Sequence, residues 1–158
     1  MTWHFIDKTG QQTGWGGTFD QAGAFSEGLA PVRDDQTEKW GFIDTSGRMA
    51  IQPQFDERWV GPEGYLLTTE GFHQGLAAVG QDGKWGYIDK SGKMVIPAQF
   101  SWANGFLDGF AYVNAVALPG SSTSTLEGPE GPVTLPQIGP LEIIDLTGRV
   151  VYQAPIAP

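Results

Sequence analysis

The sequence predicts an all-β protein made of tandem antiparallel β-units of about 35–45 residues, joined as an open array or closed into a propeller-like ring. One motif recurs along the chain at spacings of 37, 45 and 56 residues. Within it, the side chains follow the period of two that is typical of strands. The 23 glycines and 11 prolines indicate frequent turns, and no segment longer than about ten residues has convincing helical spacing.

The recurring motif is clearest in two 17-residue segments that align without a gap. Residues 39–55 are KWGFIDTSGRMAIQPQF, residues 84–100 are KWGYIDKSGKMVIPAQF, and 11 of the 17 positions are identical. An earlier copy, WHFIDKTG, begins at Trp3, and a divergent one, LEIIDLTG, begins at Leu141. A second element precedes the last three copies, as FSEGLAPV, FHQGLAAV and FLDGFAYV. We therefore predict one domain, 1–158, containing units of approximately 1–24, 25–71, 72–105 and 106–158.

The motif predicts a strand followed by a hairpin turn. Trp85 and Tyr87 share one face of that strand, and Ile88 lies on the other. In Asp-x-Ser-Gly, the aspartate is expected to accept hydrogen bonds from the backbone N–H groups two and three residues further on, and the glycine tolerates a positive φ. These features predict a type I turn followed by a bulge.

Glycine and proline positions predict where the strands depart from regular pairing. Gly41 and Gly86 each stand beside a large indole, which predicts that another strand or ring packs against the backbone there. Pro53 and Pro97 lie in the strand that follows the turn, where proline removes a ladder hydrogen bond. That strand is therefore expected to lie at a sheet edge or to contain a bulge.

Two insertions interrupt the repeat. The first adds 11 residues near 56–71 and the second adds about 22 near 117–140, and both contain Gly-Pro-Glu-Gly, a turn expected to display its glutamate. Because repeat scaffolds bind through the loops that depart from the repeat, we predict a partner surface of acids and aromatic anchors there. The alternative is a flexible loop with coincidental turn residues. The predicted partner-binding residues are Trp59, Glu63, Tyr65, Trp102, Glu127, Glu130 and Glu142.

The composition favours an acidic, soluble protein whose partner is another protein. The formal net charge is -9, and no Lys or Arg occurs between Met94 and Gly148. Nucleic acid is therefore not an expected partner, because phosphate binding needs clustered basic residues. The expected partner is a protein with a basic surface. The chain has no cysteine, shows no basic and apolar leader, and contains no apolar run near the ~18 residues of a membrane span. We expect a cytoplasmic protein with no membrane partner.

The sequence contains no recognisable catalytic or metal-binding motif. Nucleophilic catalysis needs a Ser, Thr or Cys near a base, and the two histidines, His4 and His73, occupy repeat positions that hold other residues elsewhere. The repeated aspartates all precede a turn glycine at the same distance, so a turn role explains them together; they are Asp7, Asp44, Asp89 and Asp145. We predict a protein that is not an enzyme and that uses no cofactor or metal.

Together, KWGYIDKSGKMVIP and the preceding F-x-x-G-L-A-x-V resemble the WG-repeat family, also called the KWG repeat, of many bacterial proteins. The resemblance covers nearly the whole chain apart from the two insertions. The copy at Trp3 has His4 in place of the glycine, and the copy at Leu141 lacks the tryptophan and has Glu142 at the glycine position. Such departures at both ends fit capping units, which need a different outer surface. The resemblance implies a β-repeat scaffold, commonly without an assigned enzymatic role, and it supplies no catalytic residue.

These observations lead to two main functional hypotheses. The first is a non-enzymatic interaction module, most concretely an acidic bacterial inhibitor of the immunity type that binds and neutralises a partner toxin such as a nuclease. The second is a carbohydrate or cell-wall binding module that uses exposed tryptophans, for which Trp59 and Trp102 are the candidate platforms. An enzyme whose site is assembled from loops is a third possibility, and the sequence offers no residues for it.

Overall fold

The computed structural model describes residues 9, 19, 21–56, 71–116, 125–128, 131–134 and 138–155. Within these residues the chain forms strands and turns and no helix, which confirms the all-β prediction. The strands are β1 (Gln21–Ala22), β2 (Leu29–Arg33), β3 (Trp40–Asp44), β4 (Met49–Phe55), β5 (Leu76–Gln81), β6 (Lys84–Asp89), β7 (Met94–Ala103), β8 (Phe110–Val116), β9 (Thr125–Gly128), β10 (Gly131–Thr134), β11 (Ile138–Asp145) and β12 (Val150–Gln153).

Among the described strands, two larger sheets and one hairpin form, and all of their pairs are antiparallel. One sheet has the order β1-β2-β3-β4, the other has the order β12-β11-β8-β7-β6-β5, and β9 pairs with β10. In neither larger sheet does the last strand pair with the first. Of the two predicted arrangements, the structure therefore has the open array.

Each repeat builds a three-stranded antiparallel meander. We call β2, β3 and β4 the N-terminal meander, β5, β6 and β7 the central meander, and β8, β11 and β12 the C-terminal meander, in which the β9–β10 hairpin is inserted. The long strand β7 leaves the central meander and pairs with β8, placing Ala103 opposite Val113. The N-terminal and central meanders are joined by a bond from the Asp56 N–H to the Gly80 carbonyl oxygen, 2.9 Å long.

The meanders stack, so the middle strand of each of the first two is buried on both faces. On β6, Trp85 and Tyr87 lie in one core cluster and Ile88 lies in another. The cluster between the N-terminal and central meanders brings Phe42 to Phe72, with ring centroids 5.0 Å apart in an edge-on arrangement. The next cluster holds Tyr87 against residues of the C-terminal meander. The predicted division of the motif into two faces is therefore confirmed, and both faces are core.

The glycine of each Trp-Gly pair is required by a strand that passes directly over it. Trp85 is opposite Phe100 and Tyr87 is opposite Ile96, so three residues of β7, including Pro97, face the single residue Gly86. A Cβ on Gly86 would lie 2.7 Å from the Ile96 carbonyl oxygen. The N-terminal meander repeats this bulge around its own Trp-Gly pair. The predicted close approach and the predicted bulge are two aspects of one feature.

Candidate functional site

The repeated aspartates form turns. Asp89 Oδ1 accepts hydrogen bonds from the N–H groups of Ser91 and Lys93, at 2.9 and 3.2 Å, while the Gly92 N–H donates to the Asp89 carbonyl oxygen at 2.9 Å. Gly92 has a φ of 84°. Asp44 and Asp145 make the same bonds. The predicted turn is confirmed. The N–H group three residues on donates to the aspartate's backbone carbonyl oxygen, and the carboxylate accepts from the N–H groups two and four residues on. Asp7 lies outside the described residues.

These turn bonds lower the pKa values of the aspartates. The Thr147 hydroxyl, together with the N–H groups of Thr147 and Arg149, lowers the pKa of Asp145 to about 2 from an ordinary value of 3.8. The Ser46 and Ser91 hydroxyls likewise lower the pKa of Asp44 and of Asp89. A carboxylate held this way accepts bonds from its own turn and is not poised as a general acid or base at neutral pH.

The lowered pKa values of the turn aspartates predict how the stability of the protein depends on pH. Because the folded-state pKa values lie below the unfolded ones, the stability that these carboxylates contribute is complete above about pH 4 and is lost as the pH falls toward about 2. We expect the thermal midpoint of the wild-type protein to fall across this window, and that of Asp145→Asn to fall less, because asparagine does not titrate. Calorimetry from about pH 5 to pH 2 measures both. Equal acid-induced losses in the two proteins would contradict this role for Asp145.

A turn role also predicts the effect of removing one aspartate. Asp89→Ala is expected to lower the thermal midpoint by a few degrees without changing partner binding, because it removes local side-chain-to-backbone bonds only. Lys93→Ala is the control, since its backbone N–H is retained. Loss of partner binding by Asp89→Ala at an unchanged midpoint would show that the aspartate is a binding residue.

Of the predicted partner-binding residues, few lie where the structure describes side chains. Glu127 belongs to β9, and the side chains described are those of Trp102 and Glu142. Trp102 is partly buried against the core and lies opposite Asn114 on β8. Glu142 is buried and accepts a hydrogen bond from Gln153 Nε2 at 3.0 Å. Their part in partner binding stays a prediction, as it does for the residues outside the described ones, Trp59, Glu63, Tyr65 and Glu130.

The C-terminal meander exposes an apolar surface on its outer side. Tyr112 on β8 is opposite Ile143 on β11, which is opposite Tyr152 on β12, so these three side chains share a face. Tyr112 is 50% exposed and Tyr152 is 52% exposed. We call this surface the terminal face; its apolar residues are Leu107, Phe110, Tyr112, Leu141, Ile143, Val151 and Tyr152.

The terminal face is the side on which a further meander would stack. In the central meander, the places of Tyr112 and Tyr152 are taken by Ala78 and Ile96, and both are buried in the cluster that the C-terminal meander completes. Each preceding meander is covered in this way by the next one. The outer surface of the C-terminal meander carries exposed aromatic side chains, whereas a capping unit usually presents polar ones.

The terminal face contains a groove whose lining includes one acidic residue. The groove has a volume of about 450 Å³, and the residues that matter here are Leu107, Asp108, Phe110, Tyr112, Ile143 and Val151. Most of this lining is apolar, and Asp108 supplies its carboxylate. Such a surface is suited to an apolar anchor flanked by a hydrogen-bond donor or a positive charge.

Comparison with known families agrees with the repeat geometry. The profile of the WG-containing repeat matches residues 17–37, 40–63, 68–85 and 85–114, together more than half of the chain. The chain belongs to the WG-repeat family. No curated protein and no solved structure matches this WG-repeat chain significantly.

Two observations on the described part of this WG-repeat protein concern metal and sugar binding. No group of three or more His, Asp or Glu side chains stands close enough there to hold a metal ion. Trp40 and Trp85 are each 2% exposed, so their rings cannot stack on a sugar. No helix in the same residues is long and apolar enough to cross a membrane.

The terminal face was not predicted from the sequence. Binding was predicted at the insertions instead, because they depart from the repeat in length. The terminal face departs from the WG repeat in residue type instead: Tyr112 replaces a small residue, Leu141 replaces the tryptophan, and Tyr152 replaces an isoleucine. Aligning the copies by their paired strands would have given this signal.

Proposed function

We propose that this WG-repeat protein is a non-enzymatic protein-binding module that takes its partner on the terminal face. The observation that carries the proposal is the uncovered outer side of the C-terminal meander, where Tyr112 and Tyr152 are about half exposed. The same side of both other meanders is buried core. Contiguous apolar surface of this kind on a soluble protein is typical of an interaction site.

The chemistry of the face fits a protein partner. Tyrosine and phenylalanine are frequent anchors in protein interfaces, because they bury a large area and lose little conformational entropy. Asp108 in the lining of the groove adds a negative charge, which favours a positively charged partner. Removing one central aromatic anchor from such an interface commonly costs about 2 kcal/mol or more, a loss of roughly 30-fold or more in affinity.

In its more specific form, the proposal is an acidic inhibitor of the immunity type that neutralises a basic bacterial toxin in the cytoplasm. The charge distribution supports this form. The net charge is -9, and residues 95–158 contain five acidic residues and one basic residue, Arg149. Carboxylates around an apolar anchor would steer a basic toxin to the face and then hold it.

A photo-crosslinking experiment tests the general proposal. A photoreactive phenylalanine analogue is placed at Tyr112 and, as the control, at Val95, which is exposed on the central meander. We expect one discrete protein adduct from position 112 and none from position 95. The crosslinked protein is then purified and its affinity measured, with Tyr112→Arg expected to weaken binding by about 30-fold or more and Val95→Arg to leave it unchanged. Tight binding retained by Tyr112→Arg would contradict the proposal.

A bacterial growth assay tests the proposal that the protein is a toxin inhibitor. The partner identified by crosslinking is expressed in bacteria alone, with the wild-type protein, and with Tyr112→Arg. We expect the partner alone to stop growth, the wild-type protein to restore it, and the variant to fail. A partner that does not inhibit growth when expressed alone would contradict the inhibitor proposal, and the proposal of a binding module would stand.

A further inference from the structure

The turn that begins each meander places a side chain in an unfavourable backbone conformation. The first turn residues are Glu27, Gln74 and Asp108, with φ values of 51°, 53° and 50°. Each is followed by a glycine whose φ is also positive. This conformation is sterically unfavourable for a residue with a Cβ, and glutamate and glutamine are not among the residues that tolerate it best. Its recurrence calls for a compensating contact.

Two of these side chains supply that contact by binding the next meander. Glu27 Oε2 accepts a hydrogen bond from the Gly75 N–H at 3.0 Å. Gln74 Oε1 accepts one from the Gly109 N–H at 2.8 Å. In both cases the donor is the glycine of the next meander's own turn. The turns therefore form a ladder along one edge of the stack, in which each side chain grips the turn that follows.

The first turn side chain in the ladder also has a charged partner on the meander that covers it. The ammonium group of Lys90, in the central meander, lies 3.2 Å from Glu27 Oε2 and donates to the Glu27 carbonyl oxygen at 3.0 Å. Partial burial raises the pKa of Glu27, but the bonds from Gly75 and Lys90 outweigh it, and the pKa is lowered. At the next interface the turn residue is the neutral Gln74, and the residue in the place of Lys90 is Leu146. At the first interface an acid is therefore paired with a base, whereas at the second interface both corresponding residues are uncharged.

Asp108 is the third member of this ladder, and the described part of the chain gives its carboxylate no partner. It lies on the terminal face, in the lining of the groove together with Leu107, Phe110 and Tyr112. Like Glu27, and unlike Gln74, it is an acid. The position that would satisfy it is the one occupied at the first interface by a glycine N–H and a lysine ammonium.

We propose that the terminal face binds a basic β-sheet, seated as the next meander would be. This inference rests on the proposed function of the face and names the partner as a β-hairpin or β-sheet protein. The partner presents a turn N–H to Asp108 and a Lys or Arg in the place that Lys90 takes beside Glu27. It also places small or β-branched apolar side chains over Tyr112 and Ile143. The elements that cover the two other meanders have such apolar side chains, for example Ala77, Val79 and Ile88.

A second copy of this chain fits the face poorly. The corresponding small apolar face of its N-terminal meander is formed by Ala30, Val32 and Ile43, which are at most 1% exposed and so cannot cover another molecule. Two terminal faces packed together would bring two Asp108 carboxylates and two acidic C-terminal halves into contact. Like charges at an interface oppose association. The partner is therefore a different, basic protein.

The experiment uses the full chain with an added meander whose chemistry is known. Residues 71–103, which contain Gly75 and Lys90, are appended after Pro158 through a flexible linker as long as segment 57–70. Hydroxyl-radical footprinting read by mass spectrometry then reports the exposure of Tyr112. We expect Tyr112 to be oxidised several-fold more slowly in the extended protein than in the parent. Asp108→Lys in the extended protein should abolish this protection, and Lys90→Glu in the appended copy only should restore it to the Asp108→Lys protein.

Three outcomes would overturn the inference. They are protection of Tyr112 that does not depend on the charge at position 108, an absence of protection, and protection that appears in the parent chain as its concentration rises, which would identify a second copy as the occupant.

The natural partner gives a second test that does not require the appended meander to fold. For the protein crosslinked at position 112, Asp108→Lys is expected to reduce affinity by roughly tenfold or more. Asp82→Lys is the matched control, because Asp82 also precedes a glycine in a positive-φ turn, with φ of 50°, and lies away from the terminal face. If Tyr112→Arg abolishes binding while Asp108→Lys and Asp82→Lys have equal effects, the proposed function holds and the basic-sheet inference fails. If Tyr112→Arg has no effect, both fail.

Discussion

Replacing Gly86 by alanine is expected to destabilise the protein by roughly 3 kcal/mol or more, near the upper end of overpacking effects. The added Cβ would lie 2.7 Å from both the Ile96 carbonyl oxygen and the Ala98 nitrogen. These are backbone atoms of the β7 bulge, so they can move only if the pairing of β6 with β7 is disturbed. The free energy of unfolding is measured by denaturant titration.

Gly83→Ala is the control for a loss of backbone freedom without a clash. Gly83 has a φ of 75°, and a Cβ there would have no neighbour within 4 Å, so we expect a cost of about 1 kcal/mol. If Gly86→Ala costs no more than Gly83→Ala, the close approach of β7 is not what requires the glycine. In the C-terminal meander, Glu142 stands at the position of Gly86. It pairs directly with Gln153, so no proline-containing bulge passes over it, and a side chain fits there.

Removing the Phe72 side chain is expected to cost about 3–5 kcal/mol, the range for truncating a buried aromatic residue. Phe72 is fully buried, and its ring packs edge-on against Phe42 of the N-terminal meander. Phe72→Ala therefore leaves a cavity between two meanders. Because the cavity is at their interface, the N-terminal meander should also lose hydrogen-exchange protection more than the C-terminal meander does.

The matched control for this cavity is Leu107→Ala. Leu107 lies one residue after Phe106, the counterpart of Phe72, and is 75% exposed. Its truncation should change the free energy of unfolding by no more than about 0.5 kcal/mol. A small effect of Phe72→Ala, or equal loss of protection in all three meanders, would contradict a core divided into layers between stacked units.

Local features were predictable from the sequence because a few neighbouring residues determine them. The Asp-x-Ser-Gly turn follows from one carboxylate and one positive-φ glycine, and the bulge follows from proline opposite Gly86. The positive φ of Glu27 was not predictable, since glutamate seldom adopts it and its compensation is the Gly75 N–H, 48 residues away. The contact exists only once the meanders stack.

The terminal face was missed for a related reason. Whether Tyr112 is core or surface depends on whether another meander packs on it, and strand periodicity is the same in both cases. Trp102 and Glu142 were predicted to bind a partner because of their residue types. In the structure, Trp102 packs against the core, and Glu142 is buried and accepts a hydrogen bond from Gln153. The motif KWGYID therefore builds the stack, and the end of the stack carries the proposed function.

The central claim, that the last of the stacked meanders leaves a face uncovered, is tested most directly by hydroxyl-radical footprinting of the intact protein at low concentration. Tyr87 is fully buried, whereas Tyr112 and Tyr152 are about half exposed. The stacked arrangement predicts rapid oxidation of Tyr112 and Tyr152 and none of Tyr87 until the protein unfolds. Oxidation of Tyr112 as slow as that of Tyr87 would contradict it, because the terminal face would then be covered in the free protein.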